Sequence, residues 1–258
     1  MSTNPLLNIT ALSQSFGGLK ALDSVTMAIS PGEIVSLIGP NGAGKTTLFN
    51  VLTGVYKGTS GQIRFQERPI RGLAPHQIVP LGMARTFQNI RLFTNMTALE
   101  NAMVGRHTQS KNDLLWSLLR NKTFYRQETE IEIEAKKCLA TVGILTSANL
   151  IARNLSYGDQ RRLEIARALA TKPKLLILDE PSAGMNPRES QKLMELIRHL
   201  KNQGLTILLI EHHMRLVMGI SDRIIVLDHG VKIAEGTPQE VAHNTKVIEA
   251  YLGKNAAH

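Results

Sequence analysis

The sequence has almost no cysteine and few aromatic residues. Cys138 is the only cysteine among 258 residues, which excludes a disulfide within the chain and a metal site built from several cysteines. Aromatic residues make up only 4% of the chain, whereas proteins that bind single-stranded nucleic acid stack the bases on aromatic side chains. The basic residues behind the net charge of +9 are dispersed along the chain. We therefore expect no nucleic-acid partner.

Long apolar segments are missing as well. No apolar run approaches the roughly 20 residues that span a bilayer. Residues 1–8 lack the basic and apolar regions of a secretory signal, so we expect the protein to remain in the cytoplasm. With 43% hydrophobic and 20% charged residues, the composition is that of a folded globular chain.

The strongest motif is a phosphate-binding loop. It consists of Gly39, Pro40, Asn41, Gly42, Ala43, Gly44, Lys45, Thr46 and Thr47. The residues before it have the apolar character of a buried strand, and those after it can begin a helix. In such a unit the glycines let successive amide hydrogens point inward and form an anion site. Lys45 adds a positive charge for the outer phosphates of a nucleotide, and Thr46 supplies a hydroxyl for Mg²⁺.

An acidic pair follows a second buried strand. Residues 175–178 are apolar and lead directly into Asp179 and Glu180. Open α/β sheets bind ligands at the carboxyl ends of their strands. Asp179 is therefore predicted to hold Mg²⁺ across from Thr46, and Glu180 to deprotonate a water that attacks the γ-phosphate. A solvated acidic pair before Pro181 is the alternative, and the phosphate loop upstream argues against it.

The strand and helix patterns predict one α/β domain over residues 1–258. Residues 206–210 repeat the continuous apolar character of residues 175–178, as expected for central parallel strands. Alternating apolar residues at 22–29 and 62–66 predict antiparallel strands at the edge of the sheet. A helical segment is inserted at about residues 89–160.

Local signals mark further elements. Thr97 and Glu100 form a capping box at the start of the inserted helical pattern. A late hairpin is predicted at residues 223–234, where Asp228-His229-Gly230 joins two apolar runs. One amphipathic helix is predicted from about Gln239 to Tyr251.

The segment around Ser156 resembles the signature of ATP-binding cassette ATPases. It runs from Asn154 to Arg162, and Ser156 stands 23 residues before Asp179. The resemblance implies a P-loop NTPase fold of ABC type, with a RecA-like α/β core, an antiparallel β subdomain and an inserted α-helical subdomain. It also implies that ATP and Mg²⁺ are bound and that two cassettes pair head to tail, so that the signature of one faces the γ-phosphate of the other. The signature residues are Ser156, Tyr157, Gly158, Asp159 and Gln160.

The other landmarks of this family follow in the same order. Gln88 stands where a glutamine contacts Mg²⁺, and His212 where a histidine lies beside the γ-phosphate. Phe16 occupies the position of an aromatic ring that stacks on adenine. Residues 182–187 correspond to the loop that crosses the dimer interface. Each of these residues alone would be an ordinary surface or core residue, but their order and spacing favour the functional interpretation.

Some positions depart from the general family pattern. Tyr157 replaces the commonest glycine and Asp159 the commonest glutamine, while Asn186 and His213 stand where aspartate is frequent. Tyr157 and Asn186 are typical of one branch, and the whole chain is similar to the ATP-binding subunits of branched-chain amino acid importers. Relatives for urea import and lipopolysaccharide export are also similar.

This resemblance implies partners and a location. The partners would be membrane permease subunits and a second ABC ATPase subunit, either a copy of this chain or a related one. A periplasmic or extracellular binding protein would take part indirectly. The chain would lie on the inner face of the cell membrane.

Two functions from other classes stay open. A soluble ABC ATPase that acts on ribosomes or DNA usually carries two cassettes or long coiled-coil insertions, and this sequence has neither. A nucleotide-binding module without hydrolysis would not need Glu180 and His212. The apolar cluster from Leu114 to Tyr125, which includes Trp116, either docks on a permease or packs within the subunit.

Overall fold

The computed structural model describes residues 4–108 and 122–252, and its strands form two separate sheets. The strands are β1 (Leu7–Phe16), β2 (Leu19–Ile29), β3 (Ile34–Ile38), β4 (Ser60–Phe65), β5 (Arg68–Pro69), β6 (Met83–Arg85), β7 (Leu175–Asp179), β8 (Thr206–Ile210), β9 (Arg223–Asp228) and β10 (Val231–Gly236). The larger sheet has the order β10-β9-β3-β8-β7-β6. All of its neighbouring strands are parallel except β10, which pairs antiparallel with β9.

The centre of this sheet explains the continuous apolar runs of the sequence. Every residue of β3, β7 and β8 is buried. One face of the sheet packs against β1, β2, β4 and the helix at residues 45–52, and the other face packs against helices. The central parallel strands and the late hairpin predicted from the sequence are confirmed, the hairpin as β9 and β10.

The antiparallel strands predicted for the edge of this sheet form a sheet of their own. Its order is β2-β1-β4-β5, and β1 pairs with both β2 and β4. Alternation along a strand shows that one face is wet, but it does not show which strands pair with each other. The prediction of edge strands was therefore wrong in topology. The apolar faces of this sheet and of the first helix meet in one hydrophobic core, through residues such as Ile9 and Phe49.

The helices surround the larger sheet. Those described are α1 (Lys45–Leu52), α2 (Pro75–Ile78), α3 (Ala98–His107), α4 (Lys122–Thr141), α5 (Tyr157–Ala170), α6 (Pro187–Asn202), α7 (Met214–Ile220), α8 (Pro238–Ala242) and α9 (Thr245–Leu252). The capping box at Thr97 and Glu100 is confirmed at the start of α3. Cys138 lies half-buried on α4, and burial raises the pKa of its thiol to about 11, as befits a packing residue.

The C-terminal helix predicted as one segment is two helices. Thr237 caps α8, whose last turn ends at His243. Asn244 then accepts a hydrogen bond from the Lys246 N–H through its side chain (3.0 Å) and starts α9. An asparagine side chain that bonds nearby backbone competes with a continuous helix, which explains the break.

Two sequence predictions concern the membrane. The apolar cluster Leu114–Tyr125, including Trp116, lies outside the residues whose side chains the structure describes. Among the described residues, none of the helices combines the length and the apolar character needed to cross a bilayer.

Asn101 provides a test of how the inserted helices are held. This residue of α3 is fully buried, accepts a hydrogen bond from the Phe93 N–H (2.9 Å) and donates one to the Phe93 carbonyl (3.0 Å). We expect Asn101→Leu to lower the free energy of unfolding by about 1 to 3 kcal/mol, because the Phe93 N–H is left without a partner and the Phe93 carbonyl keeps only the Met96 N–H (3.0 Å). Urea unfolding measures this loss. The exposed Asn202→Leu serves as control and should stay within about 0.5 kcal/mol of the wild type; equal effects would contradict the role of Asn101.

Candidate active site

The phosphate loop connects the end of β3 to the start of α1. Two of its glycines are required by close contacts. A Cβ atom at Gly39 would lie 2.1 Å from the Leu227 carbonyl oxygen, and one at Gly44 would lie 2.6 Å from the Ala21 carbonyl oxygen. Gly44 also has a φ of 98°, in a region that other residues rarely adopt, at the N-cap of α1. The backbone is thereby curled as the motif predicts.

A cleft of about 1010 Å³ lies over this loop. It is lined by Phe16, Leu19, Lys20, Ala21, Asn41, Gly42, Ala43, Gly44, Lys45, Thr46, Thr47, Gln88, Glu180, His212 and His229. Gln88, Glu180 and His212 come from three distant parts of the chain, and the structure brings them to the phosphate loop as predicted. Sequence reasoning did not assign Lys20, in β2, or His229, in the turn between β9 and β10, to this cleft.

Lys45 is held inside the loop. Its Nζ donates hydrogen bonds to the carbonyl oxygens of Gly39 (2.7 Å) and Pro40 (2.9 Å). Burial lowers the pKa of Lys45, while the negative charges of Glu180 and Asp179 act in the opposite direction. The ammonium group therefore sits at the mouth of an anion site with only neutral carbonyl partners in direct contact.

Glu180 connects the elements of the cleft. Its carboxylate accepts a hydrogen bond from Gln88 Nε2 (2.8 Å) and contacts His212 Nε2. Asp179 and Ile210 are paired in β7 and β8, so Glu180 and His212 follow the ends of neighbouring strands. Glu180 has a φ of 47°, a strained value for a residue with a side chain. Strain of this kind concentrates at functional sites.

Asp179 is buried and paired. Its Oδ2 accepts a hydrogen bond from Arg85 (2.7 Å), and both side chains are under a tenth exposed. Arg85 also donates to Asn50 Oδ1 (2.7 Å) on α1, so it ties the acidic strand to the helix behind the phosphate loop. The role of Arg85 was missed, although a charged residue in the short buried strand β6 was a usable signal.

The donors present fit a metal ion that arrives with a nucleotide. In the described parts of the chain, no group of three or more His, Cys, Asp or Glu side chains is placed to hold a metal ion. Mg²⁺ typically takes one or two carboxylates and completes its shell with phosphate oxygens and water. Thr46 lines the cleft, whereas Asp179 is not among its lining residues. The salt bridge of Asp179 uses Oδ2, so Oδ1 remains for another ligand.

Phe16 lies at the rim of the cleft and is 43% exposed. Its ring meets Tyr56 edge to face, with 5.1 Å between ring centroids. An exposed aromatic face at this position suits stacking on a planar ring.

The signature residues are not part of this cleft. Ser156 is the N-cap of α5, and its side chain accepts a hydrogen bond from the Asp159 N–H (3.2 Å). None of the residues 156–160 lines the cleft of the same chain. The structure therefore places them away from the phosphate loop.

Two residues that depart from the family pattern, Asn186 and His213, lie in or against the segment after Glu180. Asn186 caps α6 and forms a capping box with Glu189. His213 lies 3.6 Å from the buried Glu211, whose carboxylate accepts a hydrogen bond from the Ser182 N–H (2.9 Å). Glu211 therefore fixes this segment beside β8, a role that sequence reasoning missed.

Comparisons with known proteins agree with this geometry. A family model described as ABC transporter matches residues 22–183, and one described as branched-chain amino acid ATP-binding cassette transporter matches residues 231–257. The high-affinity branched-chain amino acid transport ATP-binding protein LivG of Salmonella typhimurium is 52% identical over 98% of this chain and 99% of its own length. The corresponding protein BraF of Pseudomonas aeruginosa is 47% identical over the same shares of both chains.

Solved structures confirm the fold. The crystal structure of the ADP conformation of MJ1267, an ATP-binding cassette of an ABC transporter, has a TM-score of 0.84 and 34% identity, and it covers 98% of this chain and 100% of that one. The ABC-type P-loop fold expected from the signature is thus confirmed. The family match and the full-length relatives show that this chain belongs to the ATP-binding cassette family of ABC transporters, within its LivG-type branch.

Proposed function

We propose that this chain is the ATP-hydrolysing subunit of an ABC transporter that imports branched-chain amino acids. The observation that carries the ATPase function is the contact of Glu180 with Gln88 and His212 at the mouth of a phosphate loop. The cargo is supported by the names of the relatives and by the family match at residues 231–257.

The cleft supplies the groups that bind ATP. The adenine stacks on the exposed ring of Phe16, and the amides of the loop from Gly39 to Thr47 surround the phosphates. Lys45 exchanges its carbonyl partners for the outer phosphates, because a charged acceptor forms the stronger hydrogen bond.

Three segments would supply oxygen ligands to Mg²⁺. These are the hydroxyl of Thr46, the side-chain oxygen of Gln88 and the carboxylate of Asp179. When bound, the ion neutralises charge on the phosphates. Arg85 keeps the Asp179 carboxylate in place through Oδ2.

Glu180 acts as the general base. Its carboxylate lines the cleft and is the group placed to take a proton from the attacking water. Gln88 and His212 fix the orientation of this carboxylate before reaction, and His212 then contacts the γ-phosphate.

A second cassette completes each site. The signature residues 156–160 lie outside their own cleft, and we propose that they bind the γ-phosphate held by a neighbouring subunit. The Ser156 hydroxyl and the N-terminus of α5 then add positive potential where charge develops. Closure of the pair moves permease subunits at the inner face of the membrane. The cargo, delivered by an external binding protein, never touches this chain.

The general base is tested by Glu180→Gln. We expect ATP binding to persist and turnover to fall at least a hundredfold, because the amide cannot accept the proton. Steady-state ATPase assays and calorimetry measure the two quantities. Glu195→Gln, an exposed change on α6, is the control and should turn over like the wild type. Wild-type turnover in Glu180→Gln would contradict the assignment.

The phosphate contact is tested by Lys45→Ala. Loss of the ammonium group should weaken ATP binding by about tenfold to a hundredfold, since charge-assisted hydrogen bonds contribute about 1.5 to 3 kcal/mol. Calorimetric titration compares it with Lys57→Ala, which removes an exposed lysine beyond α1. Equal affinities in both variants would refute a phosphate role for Lys45.

The transporter assignment is tested by pull-down from gently solubilised native membranes, with the Glu180→Gln chain as bait in the presence of ATP. Mass spectrometry should identify two permeases and a second ABC ATPase, because arrested hydrolysis keeps the pair closed. A Lys45→Ala bait should recover less of the second ATPase. Recovery of lipopolysaccharide-export components would overturn the cargo, and recovery of ribosomes would overturn the transport function.

A further inference from the structure

We propose that Arg161, Glu164 and Tyr157 form a buried clamp that positions Gln88 relative to the signature helix α5. The clamp holds the backbone of the glutamine loop, residues 86–91, and extends through Tyr157 to the segment after Glu180. This inference rests on the ATPase function proposed above, and it assigns positioning residues for that reaction.

The first observation is the burial of an ion pair. Arg161 and Glu164 are 0% and 1% exposed, and Arg161 Nη1 lies 3.1 Å from Glu164 Oε2. Removing two charges from water is costly, and well-packed apolar residues are often at least as stable as a buried pair. The stability of the fold alone therefore does not explain why a charged pair is buried here. The contacts that the pair makes with the glutamine loop do.

Those contacts are made with the backbone of the glutamine loop. Glu164 Oε1 accepts hydrogen bonds from the N–H groups of Phe87 (3.2 Å) and Arg91 (3.4 Å). Arg161 donates to the carbonyl oxygens of Phe87 (2.6 Å) and Gln88 (2.7 Å). Two side chains of one helix thus bind four backbone groups of the loop. The position from which Gln88 reaches Glu180 is set by α5.

Tyr157 extends the clamp to the segment after Glu180. Its hydroxyl accepts a hydrogen bond from Arg161 Nη2 (3.1 Å) and donates one to the Ala183 carbonyl (2.9 Å). A Cβ atom at Gly184 would lie 3.2 Å from the Tyr157 ring, so the ring packs directly against this segment. Glycine, the commonest residue at position 157 in the family, could make neither contact.

The contacts close into a ring. The Ala183 N–H donates to the Glu180 carbonyl (3.1 Å), and the Gln88 side chain donates to the Glu180 carboxylate (2.8 Å). A closed chain of hydrogen bonds, the circuit, therefore connects Glu180, Gln88, Arg161, Tyr157 and Ala183. Since Ser156 directly precedes Tyr157, a shift of Gln88 towards a bound nucleotide is transmitted to the signature that the chain presents to its neighbour.

The first test replaces the ion pair by residues of similar volume, in Arg161→Met/Glu164→Leu. We expect ATP affinity to stay close to the wild type, because neither side chain contacts the phosphate loop. The melting temperature should fall, because four backbone groups of the glutamine loop lose their partners. Amide exchange at Phe87 and Arg91 should accelerate at least tenfold. The turnover number should fall about tenfold to a hundredfold, as expected for misplaced catalytic groups.

The matched control removes an exposed pair of the same charges in Glu132→Leu/Lys136→Met on α4. It should leave exchange in residues 86–91 and turnover unchanged. A loss of turnover that disappears when the clamp variant and the wild type are each assayed the same number of degrees below their own melting temperatures would overturn the proposal. So would wild-type exchange and turnover.

Tyr157→Phe tests the extension separately, because it deletes only the hydroxyl and keeps the ring. Turnover should fall with unchanged ATP affinity, and its effect should not add fully to that of the double variant, since both break one circuit. Arg161→Lys should turn over as slowly as the clamp variant, because an ammonium lacks the planar fork that reaches the carbonyls of Phe87 and Gln88 together. Two results would overturn the circuit. One is full additivity of the turnover losses in Tyr157→Phe and the double variant, and the other is wild-type turnover in Arg161→Lys.

The failure of the proposal differs from failure of the proposed function. If the wild type hydrolyses no ATP, the function is refuted, while amide exchange at Phe87 and Arg91 still decides whether the clamp exists. If the wild type is active and the variants match it, only the clamp is refuted.

Discussion

The carboxylate of Glu180 is the point on which the active site depends. It receives Gln88 and His212, which are 92 and 32 residues away along the chain. These contacts follow from the order β8-β7-β6 in the larger sheet, because parallel neighbours end at the same edge. The strained backbone at Glu180 is maintained by this sheet, since its N–H donates to the Ile210 carbonyl (3.0 Å).

Two buried arginines fix the elements that carry these groups. Arg85 connects Asp179 with Asn50 on α1, and its guanidinium also lies 5.0 Å from the Phe87 ring centroid. Arg161 performs the corresponding task between the glutamine loop and α5. Burying a guanidinium is costly unless it is hydrogen-bonded; the terminal nitrogens of both arginines find acceptors, whereas their Nε atoms have none. Each arginine therefore marks a place where the relative position of two elements matters.

Motifs with local chemistry were predictable from the sequence. The phosphate loop, the acidic pair after β7 and the cap at Thr97 each depend on residues close together in the chain, and the structure shows all three. The separate antiparallel sheet was implied by the family resemblance but not by the strand pattern itself, because alternation specifies a wet face and no partner strand. The roles of Arg85 and Arg161 were hidden for a related reason. Their partners include a carboxylate and backbone carbonyls more than 70 residues away, which leave no periodic pattern.

A crystal structure of this chain with ATP and Mg²⁺ tests the proposed nucleotide site most directly. We expect the phosphates to lie on the loop from Gly39 to Thr47 and the adenine to lie over Phe16. Lys45 Nζ should move from the carbonyls of Gly39 and Pro40 to a phosphate oxygen. Nucleotide bound elsewhere, or phosphates in the loop with both carbonyl bonds of Lys45 intact, would contradict the proposed site.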